Sequence, residues 1–415
     1  MKTFSMLETK GLEAVHTWYQ QYLPTELHNQ KKVLNAFRNH RVNYQHFHTT
    51  TGYGMGDTGR DTLESLWSEI FSAEDSLIRQ QIVSGTHAIS LALFAMLLPN
   101  DEIVFYGPPY DTLFKVLGDR VDAPGTLREM NINIKIHPYG DLDTIFDSVT
   151  ANTKVLYLQR SKGYVYRNAM TIGEIKTITQ KVKAKYPNLI VFVDNCYGEF
   201  TEKEEPLEAG ADLIAGSLIK NPGGAIAPSG GYLAGRSDLI ERASYRLTAP
   251  GIGKEVGPSL ISNVYLYHGI FVAPHVVSES LKGMTYISAI LDELGYALLP
   301  GKEDIKSDIV TAIRFEDAEK MKSFCRGVQK YSPVDSHVYL EAWDMPGYSD
   351  KVIMASGGFV EGSSIELSAD GPLREPYVCF IQGGTSFPYI KIVMDSIIQE
   401  EWPYLRENRS GAFYR

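Results

Sequence analysis

Apolar residues along this chain fall into two patterns, short unbroken runs and longer stretches at helical spacing. Leu189-Ile190-Val191-Phe192-Val193 is a continuous, β-branched run that stops at Asp194-Asn195. Such a run suits a parallel strand buried on both faces. Asp212-Leu213-Ile214-Ala215-Gly216 reads the same way and leads into Ser217-Leu218-Ile219-Lys220 and the turn Asn221-Pro222-Gly223-Gly224. Further strands are predicted over 77–83, 102–105, 132–136 and 155–158. Residues 171–185 place Ile172, Ile175, Ile178 and Val182 on one helical face. Strands alternating with helices in this way predict an α/β fold with a large, mostly parallel sheet covered on both sides.

Residues 255–294 read as long helical stretches interrupted by Gly269 and Pro274. Beyond residue 300, strands at 309–315, 352–355, 364–367 and 377–381 mix with helices at 317–331 and 388–400. The first 50 residues are polar and helical in places. The segment from Thr51 to Arg60 contains a formal G-x-G-x-x-G at Gly54, Gly56 and Gly59, but it follows His48-Thr49-Thr50-Thr51. A dinucleotide fingerprint needs an apolar strand there, so that reading is rejected. Leu63, Leu66, Trp67, Ile70 and Phe71 recur at helical spacing behind Asp61 and Glu64, a capping-box-like start that makes the glycine loop a mobile arm. A chain of 415 residues exceeds one compact core. The expected division is a helical segment with arm (1–60), a large domain (61–290) and a smaller α/β domain (291–415).

A net charge of −10 argues against nucleic-acid or anionic-membrane partners. No apolar run approaches the ~20 residues that span a bilayer. Residues 1–10 lack a signal-peptide core. The three cysteines, Cys196, Cys325 and Cys379, have no metal-ligand spacing and suit a reducing compartment, so a cytoplasmic protein is expected. His40, His46 and His48 lack supporting ligands for a metal. The acidic stretch 199–205 reads as a solvated loop. No metal site is assigned.

Asp194 and Lys220, 26 residues apart, each follow a buried strand. At the carboxyl end of such strands α/β proteins place their chemistry. A pyridoxal phosphate enzyme needs this pair: an amine to form a Schiff base with the aldehyde, and a carboxylate to keep the ring nitrogen protonated. Ser84-Gly85-Thr86-His87 lies between a strand and an apolar helix, so its backbone N–H groups can face a phosphate. Ser217 can add a hydroxyl, and Tyr110 in Tyr106-Gly107-Pro108-Pro109-Tyr110 can lie against an aromatic ring.

Together these motifs resemble the fold-type I pyridoxal phosphate enzymes of the cystathionine γ-synthase and methionine γ-lyase group. Val193-Asp194-Asn195-Cys196-Tyr197-Gly198-Glu199-Phe200 and Gly216 to Gly224 look most like the branch called aluminium resistance protein, over about Thr51 to Met394. The resemblance implies a carbon–sulfur lyase acting on a sulfur amino acid, with pyridoxal 5'-phosphate on Lys220 and Lys220 and Tyr110 as catalytic residues. It also implies a homodimer or homotetramer in which Tyr53 of the arm reaches the neighbour's phosphate. The family's Tyr-x-Arg is absent, Arg60 lies further along, and its Ser-x-Thr-Lys is Ser217-Leu218-Ile219-Lys220 here, with Thr86 a possible substitute hydroxyl.

The segment 159–164 should line the cleft. The family's carboxylate-binding arginine comes from the small domain in a different motif. Arg374, in Leu373-Arg374-Glu375-Pro376-Tyr377, is the candidate here, against a salt bridge to Glu375 or Asp370. Gln382-Gly383-Gly384-Thr385 belongs to the same cleft in this reading. Two other readings stay open, an aminotransferase on the same scaffold and a non-catalytic stress protein that binds pyridoxal phosphate or metal.

Overall fold

Two sheets organise the residues that the computed structural model describes, 3–119 and 123–401; the end of the 291–415 unit, from 402 on, lies outside them. The larger sheet contains β1 (Asp75–Arg79), β2 (Glu102–Tyr106), β3 (Asn133–His137), β4 (Thr153–Gln159), β5 (Ile190–Asp194), β6 (Leu213–Ser217) and β7 (Gly231–Gly235). Their order is β1-β7-β6-β5-β4-β2-β3, and only β7 runs against its neighbours. Val191 and Val193 of β5 enter one core with Val104, Leu156 and Ile214, whereas Phe192 enters another with Phe105, Tyr157 and Ala215. Both faces are dry, which is why the run has no polar alternate positions.

The smaller, antiparallel sheet has β8 (Ala297–Leu299), β9 (Val310–Arg314), β10 (Val352–Ser356), β11 (Ser368–Pro372) and β12 (Val378–Gln382), in the order β10-β11-β12-β9-β8. Ile313, Cys379 and Ile381 on one face pack against the helices Ala318–Lys330 and Phe387–Ser396. Val310, Ala312, Val378 and Phe380 on the other face meet Tyr164, Tyr166 and Tyr197 from loops of the larger sheet. Lys162 joins the two sheets. Its buried amine donates to both Asp308 oxygens, at 2.6 and 2.8 Å, and to the Val310 carbonyl at 2.7 Å. A cleft is left between the carboxyl edge of one sheet and a face of the other.

Several local expectations change. The polar start is one helix, Phe4–Asn39, which runs through Pro24 and packs along a second long helix, Val264–Glu293. That second helix is unbroken at Gly269 and Pro274. Gly269 marks a close approach: a Cβ there would lie 2.5 Å from the Gly223 carbonyl oxygen, and one on Gly224 would lie 2.5 Å from that of Gly269. The helix therefore presses directly on the turn that follows Lys220.

The helix after the glycine loop begins at Thr58 and is capped by Asp57, not Asp61. Asp57 also accepts from the hydroxyls of Thr50 and Ser259, and Arg60 donates to the carbonyls of Gly54 and Gly257. The base of the arm is thus anchored at Asp57 and Arg60, while Thr51 to Tyr53, Met55 and Gly56 are exposed. The first strand stops at Arg79 rather than at residue 83. The strand placed at 364–367 is instead β11, whose Ser-Ala-Asp-Gly-Pro has poor strand propensity and is recruited by its neighbours β10 and β12. The acidic loop is not solvated throughout, because Glu199 and Glu205 are fully buried. Burial pushes Glu199 up to about 8, despite a hydrogen bond from Tyr232. Among the described residues no helix is long and apolar enough to cross a membrane.

Gly269→Ala puts a methyl into the contact with the Lys220 turn and should cost about 1–3 kcal/mol, as overpacking does. Gly173→Ala, where a Cβ meets only the Thr171 hydroxyl at 3.8 Å, is the control. Equal denaturation midpoints for the two variants would show that the contact is not a constraint.

Candidate active site

Lys220 stands three residues past β6, at the entry of the short turn Asn221–Gly223. Its amine donates to the Tyr197 hydroxyl at 2.8 Å and to the Ser364 hydroxyl at 2.9 Å, and it lies 4.2 Å from the centre of the Tyr197 ring. Tyr197 reaches that position from the loop after β5 with φ = +70°, a backbone conformation that bulky residues seldom adopt. Burial pulls the Lys220 amine down, but the oxygen of Tyr197 and the nearby Cys196 outweigh it and leave the amine above its ordinary range. Neither hydrogen-bond partner is a carboxylate, so the amine is not locked in an ion pair.

Asp194 ends β5, pairs in register with Ala215 and is buried. Its carboxylate accepts from the Cys196 amide at 3.1 Å and the Tyr157 hydroxyl at 3.3 Å. Burial raises its pKa, with Cys196, Tyr157 and the Lys220 charge opposing. Neither of these hydrogen-bond partners is charged, and a cation in contact would bring the carboxylate back to its usual range.

The helix Gly85–Met96 starts at the same edge. Ser84 caps it by accepting from the His87 amide at 3.0 Å, while the His87 ring accepts from the Val83 amide at 3.2 Å. The His87 side chain is thereby turned away from the cleft, and burial lowers its pKa. Ser84, Gly85, Thr86 and Ser217 line the cleft. A Cβ on Gly85 would meet the Cys196 sulfur at 3.2 Å and the Ser217 Cβ at 3.4 Å, so glycine keeps this corner open. Tyr110 donates its hydroxyl to Thr86 at 2.8 Å, and its amide is held by Gln159 at 2.9 Å. A helix start, hydroxyls, a ring, an amine held only by hydroxyls and a buried carboxylate lacking a contacting cation fit pyridoxal phosphate.

The segment 159–164 divides by side-chain direction. Gln159, Ser161, Gly163 and Tyr164 line the cleft. Arg160 turns to Glu202 and Glu205, and Lys162 to Asp308. Arg374 is not among the lining residues. It pairs with Asp350 at 2.9 Å, rather than with Glu375 or Asp370, and it also donates to the Tyr164 carbonyl. Tyr53 is 75% exposed and outside this chain's own cleft. Gln382 lines the cleft; Gly383, Gly384 and Thr385 do not. His40 turns to Glu69 and the His46 ring to the Asn43 amide, so those histidines share no centre.

Sequence reasoning missed Tyr197, Ser364, Tyr348 and Asp370 as site residues. Tyr197 lay within a quoted motif but carried no separate signal, and the others come from distant segments. The cleft holds about 320 Å³. A larger groove of about 800 Å³ lies beside the first helix and residues 302–306, but its mixed Lys and Glu lining contains none of these groups.

A family model described as methionine gamma-lyase matches residues 4–402. The chain is 48% identical over 384 residues to the uncharacterised protein YnbB of Bacillus subtilis, covering 90% of this chain and 91% of that one. It is 44% identical to a Listeria monocytogenes protein described as a candidate cystathionine β-lyase involved in aluminium resistance. That structure superposes with a TM-score of 0.93 and covers 95% and 99% of the two chains. A cystathionine γ-lyase from Lactobacillus plantarum, at 15% identity and a TM-score of 0.57 over 82% and 86% of the chains, shares the fold alone.

Because Tyr197 is the foremost of the groups that hold the Lys220 amine up against burial, Tyr197→Phe should lower its pKa. Labelling of the cofactor-free protein with an amine reagent, read at the Lys220 peptide, should become half-maximal at lower pH. An unchanged or higher midpoint would contradict this.

Proposed function

The chain belongs to the methionine γ-lyase family and has the fold of its pyridoxal phosphate enzymes, and we propose that it is a carbon–sulfur lyase. The reaction consumes one water and releases a thiol, ammonia and a 2-oxo acid from a sulfur amino acid. The observation that carries this reading is the Lys220 amine, held only by hydroxyls, in one cleft with the buried Asp194. When bound, pyridoxal phosphate supplies an electron sink conjugated to the substrate's α-carbon.

Lys220 would anchor the cofactor through its amine, and the same amine is placed to move the substrate's α-proton. Tyr197 and Ser364 aim its amine. Asp194 would keep a proton on the ring nitrogen, and Tyr110 would lie against the ring. Ser84, Gly85, Thr86 and Ser217 hold the phosphate. A thiol with a pKa of ~8.5 departs without a dedicated acid, so elimination asks little more of the chain.

Cystathionine, cysteine and methionine should be tested with thiol and 2-oxo acid assayed together. Both should appear from at least one of them. Borohydride reduction and peptide mapping should leave the pyridoxyl group on Lys220. Asp194→Asn should fold normally yet lose orders of magnitude in rate, since each pKa unit of lost support is worth ~1.4 kcal/mol. Keto acid without thiol would mean transamination, and a pyridoxyl group on Lys162 would overturn the anchor.

The same reading includes a homodimer or a multiple of it. Tyr53, Met55, Val83 and Leu260 are 67% to 75% exposed around the arm, where Gly54 rests on Pro258. Exposed apolar side chains grouped this way suit a partner surface. The solution mass should be at least twice 46.4 kDa, and Tyr53→Phe should weaken cofactor retention. A fully active monomer would refute it.

A further inference from the structure

The wall of the cleft opposite Asp194 carries a second buried carboxylate. In β11 successive side chains alternate, so Ala369 packs into the core of the smaller sheet while Asp370 faces the cleft. Its cross-strand neighbours are Met354 on β10 and Phe380 on β12, which also line the cleft. Asp370 is 5% exposed. Its Oδ2 accepts from the Tyr164 hydroxyl at 2.9 Å, and its Oδ1 is buried with no hydrogen-bond partner.

Aromatic rings lie near this carboxylate. Tyr164 lies 5.4 Å from Tyr348 and 5.2 Å from Phe380, centre to centre, and all three rings line the cleft. Lys220 is the only lysine or arginine among the lining residues, and its amine is engaged by Tyr197 and Ser364. Arg374, four residues beyond Asp370, is turned to Asp350. Burial pushes Asp370 up to about 6, with the Tyr164 hydroxyl, the Lys220 charge and its own backbone amide limiting the rise. A buried carboxylate oxygen left without a hydrogen-bond partner, in a cleft wall that also carries three aromatic rings, is the chemistry of an ammonium site.

We propose that Asp370 receives a positively charged amine on the substrate's side chain, so that this site selects sulfur amino acids whose thioether ends in an ammonium group. The proposal rests on the lyase reading of the Lys220 site, which supplies the orientation of the substrate. It goes further in naming the distal group and the residue that recognises it. Neutral thioethers of the same length leave Oδ1 unpaired and bind more weakly.

The test uses the holoenzyme with S-(2-aminoethyl)-L-cysteine and S-propyl-L-cysteine, which have the same number of heavy atoms and differ in charge. The corresponding homocysteine derivatives form a second pair. Dissociation constants come from the rapid change in cofactor absorbance on mixing, and thiol release is followed separately. The aminoethyl compound should bind roughly ten- to a hundredfold tighter. Asp370→Asn should erase that preference, with its thermal midpoint recorded to confirm folding.

Equal affinity of the two compounds for the unmodified protein would overturn the proposal, and that comparison needs no variant. A preference that survives in a folded Asp370→Asn protein would also overturn it. Preference without thiol release from either pair would keep the Asp370 assignment and remove the lyase reading.

Discussion

A single amine has to remain within reach of a ligand while buried between two sheets, and much of the structure follows from how Lys220 meets that demand. A carboxylate beside it would hold its charge but would also tie it up. Two hydroxyls hold it instead, Tyr197 from the larger sheet's loop and Ser364 from the segment before β11, themselves 3.1 Å apart. The same pair of bonds therefore links the two halves of the cleft. The backbone behind the amine is fixed by the contact between the turn at Gly223 and Gly224 and the helix at Gly269.

Charge is placed with equal care around this centre. Arg160, fully buried, is neutralised by Glu202 and Glu205 and braces the loop that carries Tyr197. Lys162, also buried, is matched to Asp308 and pins β9 to the loop after β4. Removing one partner of such pairs leaves an uncompensated charge and is far costlier than removing a surface pair. Against that background Asp194 and Asp370 differ in kind, because both are buried, line the cleft and lack a cation in contact. Their burial without ion pairs is tolerable where ligand groups complete them.

Much of the fold was legible in the chain. The inner strands announced themselves because a strand buried on both faces must be apolar at every position, as 189–193 is. β11 did not, since Asp370, Gly371 and Pro372 oppose strand formation locally and are held by register with β10 and β12. Gly269 and Pro274 looked like helix breaks. At Gly269 the missing side chain serves a tertiary contact, and the surrounding helix pairing keeps the segment continuous.

The chain order itself determined the α/β pattern and the presence of Asp194, Lys220 and the Ser84–Thr86 turn at strand and helix ends. Each of those residues lies within a few positions of the element that presents it, so local pattern suffices. Tertiary structure alone decided that Tyr197 and Ser364 together hold the amine. It also brought Asp370 to the cleft beside Tyr164, 206 residues away in the chain. Those contacts join segments whose separation is set by the packing of two sheets, and no spacing along the sequence encodes a distance that only that packing creates.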